Sequence, residues 1–179
     1  MVAQSHTVAV LVPCHNEAAT IAQVVADFRA QLPAATIYVY DNNSSDDTAQ
    51  RAAAAGAQVH REPLQGKGNV VRRMFSDIEA DVFILVDGDG TYDASCAPRL
   101  VEQVSAEGVD MVNCVRVPVS ATAFRPGHAF GNRVLTGLVA WIFGNRVGDI
   151  LSGYRAMSRR FVKSFPALSS GFEIETELT

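Results

Sequence analysis

The segment VDGDGTYD, residues 86–93, places two aspartates, Asp87 and Asp89, at the end of an apolar run. Side chains two residues apart on an extended segment lie on the same face. Two carboxylates that close repel each other unless one is protonated or a cation lies between them. Oxygen ligands of this kind select Mg²⁺ or Mn²⁺, which keep waters and take phosphate oxygens as their remaining ligands. The pair therefore predicts a metal site suited to a nucleotide diphosphate.

The same letters also fit a second chemistry, that of haloacid-dehalogenase-type phosphatases. In those enzymes the first aspartate is the nucleophile, the second is the general acid, and a later pair of acids holds Mg²⁺. Their D-x-D strand normally opens the domain, whereas three β-α units precede Asp87 here. Residues 111–172 supply a single acid, Asp149. The missing parts favour the metal-site interpretation, and the phosphatase stays an alternative.

Length and composition bound the class of protein. The chain has 179 residues, of which 48% are hydrophobic and 19% charged, enough for one domain with a well-buried core. Its three cysteines form neither an even set nor a Cys/His cluster, so neither a disulfide framework nor a zinc site is indicated. We expect a single domain in a reducing compartment, the cytoplasm.

The sequence carries no targeting or membrane signal that we recognise. Pro13 interrupts the apolar run near the N-terminus, and no apolar run approaches the roughly 20 residues of a transmembrane helix. The last residues, GFEIETELT, resemble the middle of a helix. We therefore expect the domain to be truncated at its C-terminus.

Apolar periodicity predicts the order β-α-β-α-β-α-β over the first 87 residues. The predicted strands are TVAVLVP at 7–13, TIYVYD at 36–41, QVHRE at 58–62 and VFILVD at 82–87. The predicted helices cover about 18–32, 44–56 and 67–80, and are followed by a helix at 95–106, a strand at 110–118, a helix at 127–144 and a mixed region to 160. This pattern indicates an α/β fold with a single, Rossmann-like, mostly parallel sheet and helices on both faces.

Polar clusters follow three of the predicted strands, and ligands of open α/β sheets bind at the carboxyl ends of the strands. These clusters are CHNE after the first strand, DNNSSDD after the second and DGDGTYD after the fourth. Asp41 ends its strand and leaves helix capping to later residues, so its carboxylate is free to accept from a base N–H. Turn and capping roles remain the alternative for each cluster.

The segment GKGN at 66–69 opens the third helix and suits an anion. It offers backbone N–H groups, a helix N-terminus and the ammonium of Lys67. The spacing of a Walker A motif is absent, so the signal has low specificity.

Charge is distributed unevenly along the chain. Residues 1–110 carry 7 Lys/Arg and 15 Asp/Glu, whereas residues 111–168 carry 8 Lys/Arg and one acid, Asp149. A basic segment in an acidic protein is typical of contact with phosphate or an anionic membrane surface, with a solvated helix face as the alternative. Asp149 is either an ion-pair partner of an arginine or a group that faces an acceptor. Phe172, Glu173 and Glu175 either line the acceptor side or form the start of an amphipathic helix, and we favour the helix.

Five ordered motifs resemble the family-2 glycosyltransferases with a GT-A fold, especially those acting on polyprenyl phosphates, such as dolichyl-phosphate mannose or glucose synthases. VPCHNEAATI is similar to their V-P-x-x-N-E, and YVYDNNSSDDT to their D-D-G-S-x-D-x-T. The other three matches are GKGNVVR to G-K-G-x-x-x-R, VDGDGTYD to D-x-D, and GDILSGYRAMSRR to D-x-x-S-G-[FY]-R.

The resemblance implies a metal-dependent, inverting hexosyltransferase whose donor is a UDP- or GDP-sugar. A nucleotide-binding half would cover about 1–110 and an acceptor half about 111–179. The base and ribose would contact Pro13, Asn16, Glu17 and Asp41. The diphosphate would be held near Lys67 through Mg²⁺ or Mn²⁺ on Asp87 and Asp89. Phosphate of the donor or acceptor would bind Arg116, Arg133 and Arg155.

The resemblance also implies partners and catalytic groups. Asp149 would lie near the attacking group, and Asp89 would serve catalysis through the metal. The acceptor would be a polyprenyl phosphate, which places the protein at the cytoplasmic face of a membrane, and we expect no nucleic-acid partner. One departure is that Asn42 and Asn43 stand where D-G is usual. A nucleotide-sugar-binding module without turnover is the remaining alternative.

Overall fold

The computed structural model of the protein describes residues 6–114 and 152–179. Several predictions concern residues 115–151 and so lie outside the described residues. They are the helix at 127–144, the later part of the strand at 110–118, and the roles of Arg116, Arg133 and Asp149.

The described strands form one six-stranded sheet in the order β3-β2-β1-β4-β6-β5. They are β1 (Val8–Cys14), β2 (Thr36–Asp41), β3 (Gln58–Arg61), β4 (Val82–Leu85), β5 (Met111–Asn113) and β6 (Arg155–Ser158). The first four strands pair in parallel, whereas β6 runs antiparallel to both β4 and β5. The predicted α/β fold with a mostly parallel sheet is confirmed.

Helices cover both faces of this sheet. They are α1 (Ile21–Gln31), α2 (Thr48–Ala54), α3 (Lys67–Asp77), α4 (Ala97–Ala106), α5 (Arg159–Ser164) and α6 (Ile174–Glu177). A 3₁₀ turn, Ala94–Cys96, leads into α4, and Asp93 caps that turn by accepting from the Ser95 N–H at 2.8 Å.

Successive side chains of the central strand β1 point to opposite faces of the sheet and contribute to two separate hydrophobic cores. Val10 and Val12 face one cluster, which packs on α1, α2 and α4, whereas Ala9 and Leu11 face the other, which packs on α3, α5 and α6. Successive side chains of a strand point to opposite faces, so a strand buried on both sides has to be apolar throughout. This burial fixes the sheet rigidly beneath its carboxyl edge.

Three elements differ from the sequence prediction. Helix α1 begins at Ile21 because the Glu17 carbonyl accepts from the N–H groups of Thr20 and Ile21, which forms a turn over residues predicted to be helical. Helix α3 ends at Asp77, since Ile78 has an extended backbone. Strand β6 was read only as part of a mixed region, because RAMS lacks an apolar run and becomes a strand by pairing with β4.

In the described ranges, 6–114 and 152–179, no helix has the length and apolar character needed to cross a membrane. The three cysteines are all free thiols in this structure.

Asn42 ties together the loops that follow β2 and β3. Its Nδ2 donates to the carbonyls of Glu62 and Leu64, both at 2.8 Å, and its Oδ1 accepts from the Gly66 N–H at 2.8 Å. The side chain is buried, so each of these bonds is shielded from water. An aspartate cannot donate, which is why this environment suits an amide where the related motif usually has an acid.

Asn43 occupies the position where the related motif usually has glycine. Its φ of 63° lies in the left-handed region, which asparagine tolerates better than most residues with a side chain. Both departures of this motif therefore have a local structural reason.

We predict that Asn42→Asp destabilises the fold by about 2 kcal/mol, because two carbonyls lose their donor and a carboxylate is buried against them. Asn43→Gly is the matched control, since glycine adopts a positive φ freely, and it should cost well under about 1 kcal/mol. Urea unfolding of both variants measures the difference. Equal losses of unfolding free energy in the two variants would contradict the role assigned to Asn42.

Candidate functional site

The ends of β1, β2 and β4 meet at one edge of the sheet, as predicted. These strands are neighbours and parallel, so their carboxyl ends open on the same side. Together with the start of α3 they border a cleft of about 320 Å³. Its lining residues are Pro13, Cys14, His15, Glu17, Asn42, Gln65, Gly66, Lys67, Val70, Asp87, Asp89 and Phe172.

The loops after β1 and β2 are joined by direct hydrogen bonds. Asn16, at φ 57°, accepts on its Oδ1 from the Ser45 N–H at 2.8 Å, and its own N–H donates to Ser44 Oγ at 2.9 Å. The Glu17 N–H donates to Thr48 Oγ1 at 2.8 Å. The amide oxygen of Asn16 is thus used to shape the cleft, and its predicted ribose contact stays a prediction.

Asp41 lies at the end of β2 and is buried. Its Oδ1 accepts from the Ser44 N–H at 3.3 Å, which orients the carboxylate within the turn. Pro13 is likewise buried, and it lines the cleft. The predicted contacts of both residues with a base or ribose stay predictions.

Asp87 is the charged centre of the cleft, and Lys67 neutralises it. Lys67 Nζ lies 2.5 Å from Asp87 Oδ1 and 2.5 Å from Glu175 Oε1. Burial lowers the pKa of the Lys67 ammonium, but the two carboxylates outweigh that effect, so its pKa is raised overall. Lys67 therefore stays protonated and bridges two strongly bound acids.

Two glycines allow other groups to approach the aspartate pair closely. A Cβ on Gly153 would lie 2.1 Å from Asp87 Oδ2 and 2.7 Å from its Cγ. A Cβ on Gly88 would lie 2.1 Å from Glu17 Oε2. Both distances are shorter than real contacts of a Cβ atom, so a larger residue at either position would displace the carboxylate that faces it.

Asp89 is exposed and keeps one carboxylate oxygen available. Its Oδ1 accepts from the Thr91 N–H at 2.9 Å and from Thr91 Oγ1 at 2.7 Å. Among the residues whose placement is described, no group of three or more His, Cys, Asp or Glu side chains could enclose a metal ion. A pair of carboxylates that leaves the other positions to waters and phosphates is the donor set that Mg²⁺ prefers. The residues present therefore fit the predicted metal.

Glu17 has an unusual ionisation. Burial raises the pKa of its carboxyl from 4.5 to about 7, and the negative charges of Asp87 and Asp89 add to the rise. Near neutral pH a substantial fraction of Glu17 is therefore uncharged and able to donate a hydrogen bond.

Two of the backbone N–H groups predicted to bind an anion at the start of α3 are engaged within the protein. The Gly68 N–H donates to the Gly171 carbonyl at 3.1 Å, and the Asn69 N–H donates to the Ser170 carbonyl at 3.3 Å. These donors are satisfied by the segment before α6, so they do not face the cleft as free N–H groups. The predicted nucleotide contact of Lys67 itself stays a prediction.

Arg155 lies in β6 and is buried. Its Nη2 donates to the Glu175 carbonyl at 2.6 Å and to Thr179 Oγ1 at 2.8 Å. In this structure the guanidinium holds the C-terminal segment in place, and its predicted phosphate contact stays a prediction.

Sequence reasoning missed two residues of the site. For Glu175 the start of an amphipathic helix was favoured over a place on the acceptor side, and its contact with Lys67 joins residues far apart in the chain, which leaves no local signal. Gly153 appeared in the sequence only as part of the S-G-Y-R motif. Glycine is needed there because the residue contacts Asp87, which is distant in the sequence.

A family comparison decides how this site should be understood. The family model described as glycosyl transferase family 2 matches residues 9–165. The chain belongs to glycosyltransferase family 2. The predicted family is thereby confirmed, and the phosphatase alternative has no support.

Two proteins with similar sequences agree with this assignment. Protein RfbJ of Shigella flexneri is 52% identical over 125 residues, which is 69% of this chain and 97% of that protein. Glycosyltransferase AglJ of Haloferax volcanii is 39% identical over 177 residues, which is 96% of this chain and 56% of that protein. The chain thus spans about half the length of AglJ.

The fold is similar to that of crystallised glycosyltransferases. A structure of glucosyl-3-phosphoglycerate synthase from Mycobacterium tuberculosis, in complex with Mn²⁺, UDP-glucose and phosphoglyceric acid, has a TM-score of 0.79 and 27% identity. The match covers 97% of this chain and 64% of that chain. The predicted GT-A type of α/β fold is confirmed.

We predict that Gly153→Ala lowers the affinity of this family-2 site for Mn²⁺ at least about 10-fold, since the added Cβ displaces the Asp87 carboxylate. Isothermal titration with MnCl₂ measures the change. Gly171→Ala is the control, because its Cβ would meet only the end of the exposed Glu173 side chain. Unchanged Mn²⁺ affinity in Gly153→Ala would refute the assignment of Asp87 to the metal.

We also predict that Glu17→Gln removes a pH-dependent loss of stability. Because the folded pKa is raised, wild-type stability falls as the pH rises from about 4.5 to 7 and then levels off, whereas glutamine has no charge to bury. The variant should gain up to about 3 kcal/mol over wild type by pH 8 and little at pH 4.5. Urea unfolding between pH 4.5 and 8 tests this, with exposed Glu102→Gln as control. A stability difference independent of pH would contradict it.

Proposed function

We propose that this chain is the catalytic domain of a metal-dependent, inverting glycosyltransferase that moves a hexose from a UDP- or GDP-sugar to polyprenyl phosphate. The observation that carries the proposal is the cleft at the ends of β1, β2 and β4, where Asp87 and Asp89 lie beside an ammonium and a protonatable glutamate. The alternative function is that of a module that binds a nucleotide-sugar without turnover.

The donor side of the proposal has support from structure and similarity. The glucosyl-3-phosphoglycerate synthase was crystallised with Mn²⁺ and UDP-glucose. Its fold matches 97% of this chain. In this chain Pro13 and Asp41 lie at the carboxyl ends of β1 and β2, Pro13 and Glu17 line the cleft, and Glu17 is near enough to Asp87 and Asp89 for their charges to raise its pKa. We assign the base and ribose to this part of the cleft, with Asn16 shaping its loop.

Asp89 and Asp87 are the residues that would hold Mg²⁺ or Mn²⁺. A divalent cation bound there would neutralise the negative charge that develops on the departing nucleoside diphosphate. Asp89 offers its Oδ2, since Oδ1 is engaged by Thr91. Gly153 and Lys67 fix the orientation of the Asp87 carboxylate.

A lipid phosphate is the acceptor that the sequence favours. Residues 111–168 carry 8 Lys/Arg and one acid, a balance suited to phosphate and to an anionic membrane surface. A phosphate acceptor is already ionised near pH 7, so it needs no strong base. We assign phosphate contacts to Arg116 and Arg133, a place near the attacking group to Asp149, and the cytoplasmic face of the membrane as the working location.

We predict that Asp89→Asn abolishes Mn²⁺-dependent binding of the nucleotide-sugar while the fold is retained, because asparagine still accepts from Thr91 but is a poor ligand for a hard cation. Calorimetric titration of UDP- and GDP-sugars with and without Mn²⁺ measures the loss. The control is Asp93→Asn, which changes a carboxylate that caps the 3₁₀ turn. Mn²⁺-dependent donor binding retained by Asp89→Asn would exclude Asp89 as a ligand.

Transfer assays distinguish the acceptor and the alternative. Wild-type protein is incubated with the donor that binds, with Mn²⁺, and with either polyprenyl phosphate in vesicles or 3-phosphoglycerate. Glycosylated lipid as the sole product supports the full proposal. Glycosylated phosphoglycerate as the sole product would show that the acceptor is a small phosphorylated molecule and not a lipid phosphate. Donor binding without any transfer or hydrolysis would favour a binding module.

A further inference from the structure

Lys67 lies directly against the carboxylate of Asp87, which is one of the two predicted metal ligands. Its side chain is 9% exposed and lies between the carboxylates of Asp87 and Glu175, whose side chains are 21% and 14% exposed. Burying an ammonium in this way is favourable only with anionic partners, and here it has two. The three groups form a compact unit with one net negative charge.

Arrival of a dication at Asp87 changes the electrostatics of this unit. Lys67 already engages Asp87 Oδ1, and a cation on the same carboxylate would repel the ammonium across a short, poorly screened distance. The lysine has to give up Asp87 at least in part when the metal binds. It then depends on its other anion, Glu175, since an unpaired buried ammonium is costly.

Glu175 is placed to receive the ammonium. It lies in α6, and its carbonyl accepts from Arg155 in β6, so its backbone is held independently of Lys67. The Phe172 ring adds a second contact, with its centroid 5.7 Å from Lys67 Nζ. Lys67 can therefore leave Asp87 and keep two favourable partners.

We propose that Lys67 is a resident counter-ion of the metal site, which is shared between Asp87 and Glu175 in the metal-free protein and gives up Asp87 in favour of Glu175 when the metal binds. This inference rests on the proposed function, since it concerns the same site. Lys67 and Glu175 are positioning residues here: they set how readily Asp87 is released to the metal. The C-terminal segment that carries Glu175 thereby becomes coupled to donor binding.

The test measures binding of Mn²⁺ alone, without donor, by calorimetry and by the electron paramagnetic resonance of free Mn²⁺. Lys67→Met removes the competing cation and should tighten binding at least about 10-fold. Glu175→Gln leaves Lys67 with Asp87 as its one carboxylate partner among the residues that the structure describes, and should weaken binding about 5-fold or more. In the Lys67→Met background, Glu175→Gln should weaken binding less than about 2-fold, because the coupling needs the lysine.

Glu173→Gln is the matched control, since it removes the same charge from the same segment at an exposed side chain. It should change Mn²⁺ affinity less than about 2-fold. If Glu175→Gln weakens Mn²⁺ binding equally in the wild-type and Lys67→Met backgrounds, Glu175 acts on the metal only through its charge at a distance. That result would overturn the proposal. So would weaker binding in a folded Lys67→Met variant.

A second measurement needs no variant. The chain contains two lysines, Lys67 and Lys163, so ¹⁵N labelling of lysine ammonium groups gives two signals. Saturating Mg²⁺ should move the Lys67 signal and leave Lys163, which pairs with Glu79, unchanged. A stationary Lys67 signal with Mg²⁺ bound overturns the counter-ion proposal and leaves the proposed function intact. Failure of wild type to bind Mn²⁺ even with UDP would overturn the proposed function itself.

Discussion

A carboxylate held in a confined space at the end of a central strand is the constraint on which this site depends. Asp87 follows β4 and meets a backbone glycine on one side and an ammonium on the other. A charge in that position requires a partner, because its desolvation would otherwise outweigh the packing that places it there. Lys67 at the start of α3 is that partner, and it also pairs with Glu175 in α6, so residues as far as 108 positions apart in the chain meet at one ammonium.

The sheet makes this arrangement possible. Parallel pairing of β2, β1 and β4 sets three carboxyl ends side by side, and the apolar alternation of β1 anchors them from both faces. The loops above the sheet are then joined by amides, with Asn16 linking the first two and Asn42 linking the second to the start of α3. Flexible turns thereby become a rigid rim, which is what positioning a diphosphate requires.

Sequence reasoning reached the features that local pattern encodes. The four parallel strands and the polar strand ends follow from periodicity and turn chemistry over a few residues. Strand β6 did not, because RAMS has no strand pattern of its own and is specified by its pairing with β4. The contact of Lys67 with Glu175 and the approach of Gly153 to Asp87 are also tertiary. Carbonyls that fill the N-terminus of α3 come from residues 170 and 171, so GKGN alone could not reveal them.

In the proposed complex the strand ends hold a nucleoside diphosphate through a metal on the aspartate pair. Anomalous diffraction from crystals grown with Mn²⁺ and UDP would locate that metal. We expect one strong manganese peak in this cleft, within about 2.3 Å of an Asp89 or Asp87 oxygen and of diphosphate oxygens. UDP bound in the cleft with no manganese peak at either aspartate, or manganese held elsewhere, would contradict it.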